Sequence, residues 1–168
     1  MTDDILARLR RLEDREAIRV LQATYCFLVD DGRFVELVEQ HFTEDACCDF
    51  RDVTGAMVPM VSRGRGEILE FFTNVVGALL DDMSHTVHNE RIRIDGRTAD
   101  AECYFELTAV ERLSGKALVG AGRYLDRYRR DGEAWRFAER KARMFHLTTL
   151  EDGWARRRLL PALTGAKE

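Results

Sequence analysis

Three side chains in this sequence have the chemistry to move a proton. Tyr25 and Asp30 stand near the end of one long helical pattern, and His85 stands at the head of a strand pattern. A tyrosine, a carboxylate and an imidazole are the parts needed to take a proton from carbon beside a carbonyl or leaving group. The aspartate accepts from one ring nitrogen, fixes the tautomer and stabilises the imidazolium that forms when the other nitrogen acts as base. The tyrosine hydroxyl donates to a substrate carbonyl or departing oxygen, where negative charge develops. Asp30 opens the terminus Asp30-Asp31-Gly32. A carboxylate at a helix C-terminus is disfavoured by about 0.3 to 1 kcal/mol, because the unpaired carbonyls carry partial negative charge. An unfavourable placement points to a use. Each residue also has a purely structural role open to it: a solvated turn aspartate, a strand histidine bonded to backbone, and a core tyrosine.

The elements that must position the trio are legible from periodicity. Ile5, Leu9, Leu12, Ile18, Leu21, Tyr25 and Leu28 recur at helical steps and predict one amphipathic helix. Phe34, Leu37, Val38 and His41 predict a second, short one. Ala46 to Phe50 reads as a first strand, with Met57 to Val61 returning beside it across Thr54-Gly55. From Ile68 to Leu80 the sequence is too densely apolar for a solvent-facing helix, so that helix is expected to be largely buried. The period then switches to two, and the turns Asp95-Gly96, Ser114-Gly115 and Asp131-Gly132 mark a run of antiparallel strands. Helices first and a meander after them predict an α+β fold with helices on one face of an antiparallel sheet.

One strand does not close as a regular element. Met83, His85 and Val87 share one parity while Ile92 and Ile94 share the other. A bulge between Asn89 and Arg91 reconciles them and bends the sheet. A bent sheet with helices across its concave side encloses a cavity, for which the predicted lining is Cys26, Val29, Phe50, Met60, Phe72, Val76, Phe105 and Phe137. Such a lining suits a ring-bearing lipophilic substrate. Arg143 shares parity with Trp135 and Phe137, which aims its guanidinium inward if no bulge intervenes. Asn89 and His88, beside the suspected bulge, are further candidates for substrate contact.

Bulk properties remove other classes. A chain of 168 residues is the size of one domain, residues 1–168, with 150–168 as a C-terminal tail or short helix that covers the pocket mouth or docks on another subunit. The formal charge of −4 supplies no basic field for nucleic acid. No apolar run reaches the roughly 20 residues of a membrane span, and the acidic Met1-Thr2-Asp3-Asp4 start is unlike a signal peptide, so a cytoplasmic protein is expected. The four cysteines form no C-x-x-C pair and read as reduced, packed thiols. His85 and His88, three apart in a strand, face opposite sides and would not share a metal ion.

Three segments carry a likeness to a known family. They are Tyr25-x-x-x-x-Asp30, then Ser84-His85-Thr86-Val87-His88-Asn89 with Ile92 to Ala99, and Tyr124-x-Asp126-x-Tyr128 running on to Trp135. In these segments, over roughly residues 12–147, the chain resembles the SnoaL-like branch of the nuclear transport factor 2-like superfamily. The nearest likenesses within it are bile acid 7α-dehydratase, scytalone dehydratase and hexachlorocyclohexane dehydrochlorinase. The resemblance implies a cone-shaped bent sheet closed by N-terminal helices, and a cofactor-free eliminase or isomerase. The family's Asp/His pair falls on Asp30 and His85, a dehydratase tyrosine on Tyr25, and a late-strand arginine on Arg143. It also implies a small-molecule substrate and a homo-oligomer, either trimer or dimer. Members that only bind or assemble, and dioxygenase β subunits, share the fold and stand as rival functions.

Overall fold

The computed structural model describes residues 2–165; Met1 and the end of the predicted tail, residues 166–168, lie outside the described residues. Helix α1 spans Thr2–Asp30. Ile18, Leu21, Tyr25 and Leu28 of its stripe are buried, whereas Ile5, Leu9 and Leu12 remain 48–64% exposed. The periodicity is helical throughout, but the apolar stripe is buried only from Ile18 onward. Its end is closed by backbone: the Arg33 N–H bonds the Leu28 carbonyl and the Gly32 N–H that of Val29, with Gly32 at φ +68°. This left-handed glycine closure stops the helix at Asp30 and turns the chain back.

Helix α2 (Phe34–His41) and strand β1 (Phe42–Asp52) follow, then β2 (Met60–Arg63) and α3 (Gly64–Phe71). The predicted apolar helix is broken here. A single π-helical turn, Phe72–Val76, separates α3 from the short α4, Gly77–Leu79. The meander runs through β3 (Leu80–Asp95), β4 (Thr98–Glu111), β5 (Ala117–Asp131) and β6 (Ala134–Thr149). The tail forms α5 (Gly153–Arg156) and α6 (Pro161–Thr164).

Six strands make one sheet in the order β2-β1-β6-β5-β4-β3. The expectation of an antiparallel sheet needs one correction. β1 lies parallel to β6, because the chain crosses from β2 through the helices to the far edge and meanders back to end beside β1. The returning strand is also displaced: β2 begins at Met60, and Met57 sits in the loop before it. Asp52 organises that loop, accepting from the Thr54 hydroxyl and from the N–H groups of Thr54 and Met57.

Bulges shape the sheet. Pairing of β3 with β4 slips between Asp81 and Ser84 and again between His88 and Arg91, and Asp82 and Asn89 take positive φ there. The second slip is the bend expected from the parity switch. Two further slips in β5–β6 leave Ala138 and Phe145 as extra residues in β6. At Gly122 the sheet admits no side chain, since a Cβ there would come within 2.5 Å of the Phe105 ring.

Candidate functional site

Between the concave sheet face and the helices lies a cavity of about 80 Å³. Its walls come from Tyr25 and Val29 of α1, from Phe71, Phe72, Val75, Val76 and Leu79 across the π turn, and from Phe105, Tyr124 and Met144 of the sheet, with Leu163 of the tail and Met57 also in the lining. The volume is well below the roughly 300 to 1,000 Å³ of sites for drug-sized ligands, and suits one small ring. π-Helical turns recur at functional sites, and this one supplies Phe72, Val75 and Val76 to the wall.

His85 lines the cavity from β3, held between the two bulges. Its Nδ1 lies 2.5 Å from Asp30 Oδ1, and its backbone N–H donates to Asp30 Oδ2 at 2.9 Å. Asp30 therefore grips one residue twice. A carboxylate accepts, so Nδ1 donates and the ring lone pair is left on Nε2. The side chains of His85 and Asp30 are only 8% and 17% exposed, so the pair works largely out of water. Tyr25, one helical turn before Val29, packs edge-on against Phe72, Tyr124 and Phe137. Burial drives its hydroxyl well above the ordinary range, opposed by Arg140, and the phenol stays a donor throughout neutral pH.

The structure thus brings His85 and Tyr25 to one cavity, with Asp30 bonded to His85 and with Val29, Phe50, Met60, Phe72, Val76 and Phe105 in the wall. It does not bring the others. Arg143 points to the outer face, bonding Asp49 Oδ2 at 2.9 Å and the Asp49 carbonyl at 3.0 Å. The bulge at Ala138 inverts the parity of the strand as far as the second bulge at Phe145, so Arg140 takes the inward position that Arg143 was expected to hold. His88 faces outward, stacked on Tyr104 and 3.8 Å from Glu106. Asn89 is exposed in an outer groove with Arg91, Glu102, Tyr104 and Arg123. Phe137 and Cys26 are core residues behind the cavity, Phe137 packing on Phe42 and Tyr128. Cys26, Cys48 and Cys103 are free buried thiols; burial lifts Cys26 to about 11 and Cys103 to about 12, so they pack as apolar groups.

Arg140 was not read from the sequence as a site residue. Its guanidinium forms two bonds to Asp126, at 2.9 and 2.7 Å, and both side chains are fully buried. The Tyr128 hydroxyl donates to the same carboxylate. The cation lies 3.9 Å from the Tyr25 ring centroid and 4.0 Å from that of Tyr124. The available signal was Asp126, which shares inward parity with Tyr124 and Tyr128 on β5 and demands a buried cation. Among the described residues, no group of three or more His, Cys, Asp or Glu side chains gathers as metal donors, and no helix is long and apolar enough to cross a membrane.

Solved structures share this fold across most of the chain. Hexachlorocyclohexane dehydrochlorinase LinA-type3 from Novosphingobium barchaimii superposes with a TM-score of 0.74 at 22% identity, covering 85% of this chain and 94% of its own. A candidate scytalone dehydratase from Novosphingobium aromaticivorans gives 0.69 at 21% identity, covering 89% and 91%. A candidate aromatic ring hydroxylase from the same organism gives 0.71 at 29% identity, covering 84% and 96%. A comparison with curated proteins finds no match. Residues 10–141 match the model of the SnoaL-like domain. The chain therefore belongs to the SnoaL-like family, within the nuclear transport factor 2-like superfamily.

Proposed function

We propose that this protein is a cofactor-free enzyme that removes a proton from carbon in a small lipophilic ring, leading to elimination or to migration of a double bond. The observation that carries the reading is the His85–Asp30 contact, with Nε2 free beside an apolar cavity. His85 takes the proton at Nε2, Asp30 holds the imidazolium in place, and the Tyr25 hydroxyl steadies the oxygen on which charge develops. General base catalysis contributes typically 10²- to 10⁴-fold, and the water-poor wall adds positioning and electrostatic stabilisation. The dehydrochlorinase and dehydratase neighbours support a reaction of this class.

The test is turnover of a β-hydroxycyclohexanone, whose dehydration gives the ultraviolet-absorbing conjugated cyclohexenone. His85→Asn is expected to lower kcat by about 10²-fold or more, and Asp30→Asn to lower kcat more than it raises KM. Equal rates in wild type and both variants would exclude the assignment. Oxygen-dependent activity appearing only with a separate oxygenase α subunit would favour the dioxygenase β-subunit function instead.

A further inference from the structure

Helix α1 carries apolar residues on two opposite faces. Ile18, Leu21, Tyr25 and Leu28 are buried against the domain. Leu9 and Phe27 each lie nine residues from Ile18, which is about two and a half turns, so they point the other way. Ile5, Leu12 and Val20 share their side, and all five are 48–69% exposed. Glu16 and Ala23, both exposed, fill the two gaps in this line. From Ile5 to Phe27 it covers about 33 Å of helix, at about 1.5 Å per residue. Apolar residues scattered singly over a surface need no partner, but a line of them marks a surface of interaction.

Spacing and charge say what covers it. The steps along the line are four, three, four, four, three and four, a series that reads the same from either end, with Glu16 at its centre. A copy of the same helix laid antiparallel uses that symmetry, because each residue then meets the partner residue equally far on the other side of Glu16. Ile5 meets the partner's Phe27, Leu9 the partner's Ala23, and Leu12 the partner's Val20. Glu13 and Arg19 stand three residues to either side of Glu16, so each comes level with the opposite charge of the other copy. Arg19, whose own contact with Glu90 is a loose 3.6 Å, lies within one turn of Glu16 and offsets the two carboxylates that meet at the axis. A membrane surface suits the line less well, since a carboxylate stands in its middle and the chain carries a formal charge of −4.

We propose that two copies of this chain pair through the outer faces of α1, antiparallel about a two-fold axis at Glu16. The line faces away from the residues that α1 buries, so pairing leaves the two domains on opposite sides of the helix pair. The interface is separate from the cavity, whose α1 residues, Tyr25 and Val29, are buried on the inward side. It stands or falls independently of the proposed reaction.

The mass of the whole protein by sedimentation equilibrium tests the pairing, in wild type and in the double variant Leu12→Arg with Phe27→Ser. Both positions are exposed, so the variant is expected to keep the wild-type circular dichroism and thermal midpoint while its assembly mass falls to half. Oxidative cross-linking reads the register, in Cys47→Ser protein because Cys47 is the native thiol that is only half-buried. Glu16→Cys should join two copies through a disulfide. Leu9→Cys should not, since two Leu9 positions are about 21 Å apart in the antiparallel pair and a disulfide needs a Cα separation of about 4.4–6.8 Å. A mass unchanged by the double variant, or a cross-link through Leu9→Cys in place of Glu16→Cys, would overturn the proposal. So would a monomeric wild type that sediments with vesicles of anionic phospholipid, which would give the line to a membrane surface instead.

Discussion

Two aspartate pairs lie near the cavity, Asp126 with Arg140 and Asp30 with His85, and they are built in opposite ways. Arg140 and Asp126 are wholly enclosed, joined by two bonds, with three aromatic rings against the guanidinium and the Tyr128 hydroxyl on the carboxylate. Asp30 and His85 sit at the edge of the cavity, with the aspartate committed to one ring nitrogen and the other nitrogen unspent. Enclosure on every side leaves a charge with no chemistry to do, and the pair becomes a fixed floor under two tyrosines. One open coordinate makes the same kind of pair a tool.

Breaking the floor should have the largest effect on stability. Arg140→Met or Asp126→Leu alone leaves an uncompensated buried charge and is expected to cost about 3–5 kcal/mol in denaturant unfolding. The double replacement should recover most of that loss, whereas Asp30→Asn should cost less than about 1 kcal/mol. If Asp30→Asn proved the more damaging, the contrast between floor and tool would be wrong.

The cavity wall comes next. Gly122→Ala drives a methyl into the Phe105 ring, with an expected cost of about 1–3 kcal/mol and weaker binding of para-chlorotoluene as the ring is displaced. Arg143→Ala, outside the cavity, should cost about 1 kcal/mol or less and leave turnover unchanged, since its contacts are to Asp49 on the outer face. A large loss of kcat there would return Arg143 to the site.

The smallest effect concerns acid. Burial raises the Asp52 carboxyl, but hydrogen bonds from the Thr54 side chain and from the N–H groups of Met57, Thr54 and Ala56 outweigh it and hold the group at about 2, against an ordinary 3.8. The folded value is the lower one, so this stabilisation is present above about pH 4 and is lost as the pH falls toward 2. Thermal unfolding between pH 5 and pH 2 should show a decline that is shallower in Asp52→Asn, which lacks the titrating group.

How far the sequence carried depended on how local each feature was. The stripe of α1, the turns at Gly96, Gly115 and Gly132 and the alternation of β4 are properties of neighbouring residues, and each is found where it was expected. The bend at Asn89 was legible because apolar residues on both sides recorded opposite parity. The bulge at Ala138 left no such record. Glu139, Arg140, Lys141 and Arg143 are all charged, and the small Ala142 with Met144 marked the inward parity only weakly against Phe145 on the other. Hence Arg143 was expected in the position that Arg140 occupies. The parallel pairing of β1 with β6 joins residues nearly a hundred positions apart, and neither strand carries a mark of its neighbour. The contact of Asp30 with His85 spans 55 positions, yet residue chemistry and family likeness pointed to it.

The most direct test of the central claim is the tautomer of His85, read from long-range ¹H–¹⁵N correlations of the imidazole at neutral pH. For the neutral form of the ring the account predicts the proton on Nδ1, hydrogen-bonded to Asp30, and an unprotonated Nε2 facing the cavity. A proton on Nε2 would contradict it, because no lone pair would then be available to receive a proton from the substrate.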